Sequence, residues 1–408
     1  MDFEGPESFL ADFQIEYEGN IPASLLEDFT EMEIIMGESL LTPGLQTTIR
    51  IHDYAQRMPV KYHEYFKGAK VNIRITKPQL EKFFDMSPTL YTEQTLYRLE
   101  NRKFFNGIRN QEYLLRLCDP TMIFDAETLV SKSWKCATPT QVVEDVLRQC
   151  AGVQRLRTEP SSPARPYIAP NIHPFQVVSQ QASVAYTGNM DPSFLHFMTF
   201  ENISTHHFRS LYRMSRQQPV LSKPFMYEDT GIRSGNYNPL SALSLSFPCD
   251  FDLLSDALNG IGLNGGDNNS MAVFNPVFKQ FSLFGNQTLG CGIGSSVIKM
   301  GLSNSSSAAQ QGTCPDSLQV SQQKRQARMS LLEQDKIALR MTVPWNPALH
   351  AGKVIALELP NLSDPSGRAM NYGTGTYLIL HMKHNIKRGG YATTTIDCVS
   401  TTVGRGEV

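Results

Sequence analysis

The C-terminal end of the chain constrains the fold more than any other part. Residues 336–343, 353–360, 376–384 and 391–399 alternate apolar and polar side chains with little between them. Ile337, Leu339, Met341 and Val343 share one side of the first run, Ile355, Leu357 and Leu359 one side of the second, and Leu378, Leu380 and Met382 one side of the third. Arg340, Glu358 and Lys383 fall between them. A period of two puts alternate side chains on opposite faces, so each run reads as a half-buried β-strand. Four such strands nearly end to end predict a small closed β-barrel.

The same design recurs near the start. Leu45, Thr47, Ile49 and Ile51 oppose Gln46, Thr48, Arg50 and His52, and Val71, Ile73 and Ile75, then Tyr113, Leu115 and Leu117, repeat it. After 129–136 comes the clearest helix. Thr138 is its N-cap, Pro139 its first residue, Gln141 completes a capping box, Val142, Val143, Val146, Leu147 and Cys150 line one face, and Gly152 ends it. Residues 155–170, rich in Pro, Ser and Arg, read as a surface connector. A second unit begins near Asn171, with a short helix over 175–186, strands over 194–200 and 207–214, and a turn at 201–205 between them. Residues 244–307 are β-leaning but loop-rich, with turn signals at Asn259-Gly260 and Asn264-Gly265-Gly266 and a Gly/Ser tract at 290–307. Residues 317–334 read as a helix leading into the final barrel. The class is α+β and β-rich, divided as 1–153, 154–335 and 336–408, and the strand-rich ends resemble each other as a duplicated barrel would.

With 408 residues the chain exceeds one ordinary core. Charged residues make up 19%, which suits a molecule that buries surface against copies or neighbours, and the net charge of −2 excludes a strongly basic nucleic-acid binder. Cysteines 118, 136, 150, 249, 291, 314 and 398 form no C-x-x-C pair and read as reduced thiols of a protein made in cytoplasm. The N-terminus is acidic, and no apolar run nears the ~20 residues that span a bilayer, so neither Sec secretion nor membrane insertion is expected.

The motifs carry little chemistry. Gly290-Cys-Gly292-Ile-Gly294-Ser-Ser296 lacks both the last glycine of the dinucleotide fingerprint and the Gly-Lys-Ser/Thr of a phosphate loop, so it reads as a loop. His63-Glu64-Tyr-Phe-Lys67 has a lysine where a zinc-protease motif needs its second histidine. His196, His206, His207 and Asp191 are a candidate metal set, but neighbours 206 and 207 point to opposite strand faces and rarely share one ion. Asp250 and Asp252 on one strand face are a candidate acid/base pair, with solvated or capping aspartates the commoner role. No G-x-S-x-G elbow occurs, and sequons such as Asn286-Gln-Thr288 carry no meaning without a secretory signal. No catalytic, cofactor-binding or metal residue is assigned from the sequence, and no cofactor is expected.

Three segments, in order, resemble a known family. They are Glu127-Thr-Leu-Val-Ser-Lys-Ser-Trp134 with the helix that follows; Ala169-Pro-Asn-Ile-His-Pro-Phe175 with Phe197-Met-Thr-Phe-Glu-Asn202 and His207-Phe-Arg-Ser-Leu-Tyr212; and His350-Ala-Gly-Lys-Val-Ile-Ala-Leu-Glu-Leu-Pro360 with 373–384 and Gly390-Tyr-Ala-Thr-Thr-Thr395. Over residues 40–403 the chain is similar to the central baseplate hub protein of contractile-tailed bacteriophages, a family that also resembles the N-terminal part of type VI secretion spike proteins. Residues 1–35 and 290–307 match nothing in it.

The resemblance implies a structural, non-enzymatic protein with two tube-protein-like β-barrels joined by a mixed α/β middle. It implies a homotrimeric ring that adapts a sixfold tail tube to a threefold spike. Its partners would be the tube or tube-initiator protein, a trimeric spike and surrounding wedge proteins, with genomic DNA only in transit. It would reside in the virion tail baseplate and assemble in host bacterial cytoplasm. Two other readings remain open. One is a tail-associated cell-wall hydrolase using Asp/Glu pairs. The other is a spike subunit of a phage-derived secretion or bacteriocin machine, disfavoured because no long β-prism precedes Val408.

Overall fold

The structure, a computed structural model, describes residues 10–16, 31–53, 68–77, 80, 89–105, 110–189, 191–201, 203–227, 239–249, 271–275, 280–284, 299–302, 337–359, 373–387 and 392–400. The first third holds β1 (Leu10–Glu16), β2 (Glu31–Ser39), β3 (Gln46–Asp53), β4 (Lys70–Thr76), β5 (Thr89–Phe105), β6 (Asn110–Cys118) and α1 (Pro120–Glu127). The middle holds β7 (Val130–Ala137), α2 (Pro139–Cys150), β8 (Leu156–Thr158), β9 (Arg165–Ile172), α3 (Pro174–Val184), β10 (Phe194–Thr199), β11 (Thr205–Ser210), α4 (Leu211–Ser215) and β12 (Phe225–Met226). Then come β13 (Ser244–Cys249), β14 (Met271–Asn275), β15 (Gln280–Phe284), β16 (Lys299–Leu302), β17 (Ile337–Pro344), β18 (Val354–Glu358), β19 (Gly375–Lys387) and β20 (Ala392–Ser400).

One 12-stranded sheet joins the two ends of the chain, with order β1-β4-β5-β6-β3-β2-β19-β20-β17-β13 and with β18, then β12, attached to β19. The alternation predicted it locally. Thr47, Ile49 and Ile51 of β3 point into a core with Val71, Ile73, Ile75, Leu115 and Leu117, while Arg50 faces solvent. β14, β15 and β16 form a separate small sheet.

The four C-terminal strands form where the period predicted, but they do not close into a barrel. Their order is β17-β20-β19-β18, with no pairing of β17 to β18, and no sheet closes among the described residues. Alternation tells which face of a strand is buried but not which strands pair. β13 adds outside β17 and β12 outside β18. The two flanks meet at Met226, which donates to the Leu240 carbonyl (3.0 Å) and accepts from the Ala242 amide (2.9 Å), just ahead of β13. Phe225, Met341, Leu357, Tyr377, Ile379 and Ile396 are buried between them.

The middle departs from its sequence reading in two places. The segment read as a surface connector contains β8, which runs parallel to β11, and β9, which pairs antiparallel with β7. Pro166 and Pro170 are tolerated in β9 because, among the described residues, it pairs with a single neighbour and leaves its other edge open. The strand read over 207–214 stops at Ser210, whose hydroxyl accepts from the Arg213 amide (3.3 Å) and caps α4. α2 forms as expected, with both capping-box bonds between Thr138 and Gln141. Its Val142 and Val146 pack with Ala169 and Val177, and its Val143 and Leu147 with Val178, Phe194 and Phe208. The predicted helix at 317–334, the Gly/Ser tract 290–298 and 303–307, and the turns at 259–266 lie outside the described residues. Among the described residues no helix is long and apolar enough to cross a membrane.

The β3–β6 register makes a sharp prediction. Leu115 is fully buried and its neighbour Leu114 is on the opposite face. Leu115→Ala should cost about 2–5 kcal/mol in urea unfolding and Leu114→Ala markedly less. The reverse order would mean a register one residue off.

Candidate functional site

Glu38 is the polar centre of the molecule. In β2 it is in phase with Met32, Ile34 and Met36, so it occupies the apolar face, and its side chain is wholly buried. A buried carboxylate is costly unless hydrogen bonds replace its hydration. Three donors do so. Oε1 accepts from the Phe200 amide (2.7 Å) and from His350 Nδ1 (2.9 Å), and Oε2 accepts from the Ala351 amide (2.8 Å). Phe200 follows β10 and the 350–351 pair follows β17, so one side chain ties a strand of the first sheet half to the middle and to the second half. The sequence reading missed it, although a glutamate in phase with an apolar stripe was a visible signal.

A cleft of about 900 Å³ opens beside this joint, between β4–β5, the turn after β10, and residues 347–353. Arg74, Tyr91, Arg155, Glu201, His350 and Lys353 are in its wall. Glu201 is held by Arg157 (2.9 Å) and more loosely by Lys353 (3.8 Å). A hollow of about 200 Å³ continues past Glu93 to Asp119, Thr121 and His206, and Arg155 and Ile203 line both spaces. Ile203 has φ of 80°, a left-handed conformation that a β-branched residue resists.

The candidate metal set separates. His196 Nε2 lies 3.2 Å from His206 Nδ1, and His206 Nε2 lies 3.1 Å from Thr121 Oγ1. Because that hydroxyl donates to Asp119, it accepts from His206, so both imidazoles carry the proton on Nε2 and the chain runs from His196 to Asp119. Phe175 packs edge-on against both rings. His207 points to the other face, 3.0 Å from Thr199 Oγ1 and stacked on Phe197. Asp191 caps its own turn through the Ser193 amide (2.9 Å). Among the described residues no three His, Cys, Asp or Glu side chains group as a metal site. His63, Glu64, Asp250, Asp252 and residues 290–296 lie outside the described residues.

Burial pushes these histidines down, His206 to about 3 and His196 well below its usual range, the latter also through His206; His384, beside Thr394, falls to about 3. A folded pKa below the unfolded ~6.5 means that the unfolded chain binds protons the folded one refuses. The contribution of His206 and His384 is therefore complete above ~6.5 and declines as pH falls towards about 3, and that of His196 declines in the same direction. The urea midpoint should drop between pH 7 and 5, and His384→Gln should flatten that slope; an unchanged midpoint would count against the buried neutral histidines. For the joint, Glu38→Ala leaves three buried donors unpaired and should cost about 3–6 kcal/mol. Glu38→Gln puts an amide NH₂ against one donor and should cost less but clearly more than a surface change. A loss below about 0.5 kcal/mol for Glu38→Ala in denaturant unfolding would refute the joint.

No protein-family model matches the chain, and no curated protein does. Solved structures do. A tail protein from Neisseria meningitidis aligns with 96% of this chain and 97% of its own, at a TM-score of 0.57 and 10% identity. The 43 kDa tail protein of prophage MuSo2 from Shewanella oneidensis aligns with 96% of this chain and 98% of its own, at 0.54 and 9%. An E. coli type VI secretion component, described as structurally similar to the T4 phage tail proteins gp27 and gp5, aligns with 95% of this chain and 77% of its own, at 0.50 and 11%. The chain has the fold of phage tail proteins, a fold it also shares with a type VI secretion component.

Proposed function

We propose that the chain is the central hub of a phage-type contractile tail, a structural part and not a catalyst. Three copies form a ring that joins the tube above to a trimeric spike below and leaves a passage for DNA. The observation that carries this reading is the alignment of nearly the whole chain with nearly the whole of two tail proteins. In this reading each strand-rich end plays the part of a tube-protein barrel. The apolar core enclosed between β12, β13 and the four C-terminal strands supports it, as does the contact of Met226 with Leu240 and Ala242. Three copies with two such ends each offer a pseudo-sixfold face to the tube and a threefold face to the spike. Among the described residues β1 and β13 end the long path of the sheet, and a strand edge left open is an association surface. The near-neutral charge suits a bore that releases phosphates.

A hub within a phage-derived secretion machine is the second reading. It is favoured by the alignment that takes up 95% of this chain but 77% of the type VI component, as a shared hub portion would.

Light scattering over a concentration series should give three times 45.7 kDa, alone or with a spike or tube protein. A chain that stays monomeric with every tail partner, or that clears peptidoglycan in a zymogram, would overturn the structural reading.

A further inference from the structure

The cleft beside Glu38 has the chemistry of a docking groove. Arg155 makes no ion pair among the described residues, and Lys353 reaches its nearest carboxylate only at 3.8 Å. Between these cations the wall is apolar, with Tyr91, Phe200, Val220 and Pro347. Ile203, held in a conformation it resists, stands where the cleft narrows into the smaller hollow, and such residues persist where surroundings clamp them, often at binding sites. A matching occupant is an extended segment that alternates carboxylates with apolar side chains. A nucleic acid fits less well, because Glu201 and Glu93 are also in the walls and would face its phosphates.

The chain carries such a segment. Residues 1–9, outside the described residues, contain Asp2, Glu4, Glu7, Phe3 and Phe9 and no Lys or Arg. The segment joins the structure next to the cleft. Leu10 of β1 is opposite Thr76, and Thr76 is opposite Thr89, which is in the cleft wall. Two strand spacings, about 10 Å, separate β1 from β5, and nine residues reach up to ~30 Å. In the backbone register of β1, Asp12 is opposite Arg74 and Glu16 opposite Lys70.

We propose that the chain's own residues 1–9 dock in this cleft, with their carboxylates on Arg155 and Lys353 and a phenylalanine on the apolar wall. The docked segment then bridges the first sheet half, the middle and the second half over the Glu38 joint. This goes beyond the hub reading and does not depend on it.

The test is a disulfide trap in the full chain, with exposed Cys136 replaced by serine. Glu4→Cys with Arg155→Cys should close under mild oxidation and run as a faster monomer on a non-reducing gel, reverting with reductant. Glu4→Cys with Arg148→Cys, an exposed site outside the cleft, should stay open. A ladder of multimers would overturn the proposal and assign the groove to a second copy. No bond, or equal bonding in the control, would overturn it outright. Should the pair disturb folding, Arg155→Glu alone gives a second reading. Amide exchange over residues 2–9 should speed up at least several-fold relative to the parent and to Arg148→Glu, and unchanged exchange would also overturn the proposal. The light-scattering mass is read separately, so failure here leaves the hub reading standing.

Discussion

A single buried carboxylate fixes how the parts of this molecule sit on one another. Each bond to Glu38 is short and reaches a donor far away in sequence, 162 residues for Phe200 and 312 for His350. Burial of apolar surface alone fixes the relative placement of two parts less sharply, because the hydrophobic effect is non-directional. A carboxylate with no water to fall back on fixes it closely, since any shift that breaks one bond leaves a charge or a donor unpaired in the interior. Trp345, fully buried and five residues before His350, inserts into the core of the first sheet half and adds shape to the same constraint.

β10 distributes that constraint inward. Every residue of the strand is buried, and its consecutive side chains serve different cores. Phe194 packs among α2 and α3, Leu195 and Phe197 against α4 and β18, and Met198 in the first sheet half. His196 of this strand bonds to His206, and His207 on β11 bonds to the Thr199 hydroxyl, so each buried ring has a polar partner in the dry interior, while among the described residues Nδ1 of His196 and of His207 has none.

Local structure was legible from the sequence to the extent that it follows from local chemistry. The period-two runs located β3, β4, β6 and all four C-terminal strands, and Thr138, Pro139 and Gln141 located α2. Prolines at 166 and 170 misled, because their effect depends on whether a strand has an open edge, and that is a tertiary fact. Barrel closure was illegible for a related reason: nothing in residues 336–399 says that β19 will pair with β2. Of the site, the opposite orientations of His206 and His207 followed from strand geometry. Glu38 was legible as a misplaced charge on an apolar face, but its three partners come from distant parts of the chain and had no local signature.

β19 pairs with three strands: with β18 along its first residues, with β2 along its last, and with β20 for most of its length. The β2 ladder, from His381 opposite Ser39 to Lys387 opposite Glu33, is where the two ends of the chain are stitched together. A force directed along those strands loads the rungs in parallel, so they must yield together, whereas a force across them would open one rung at a time. The seam is therefore mechanically anisotropic, stiff to pushing along the strand axis and weak to peeling.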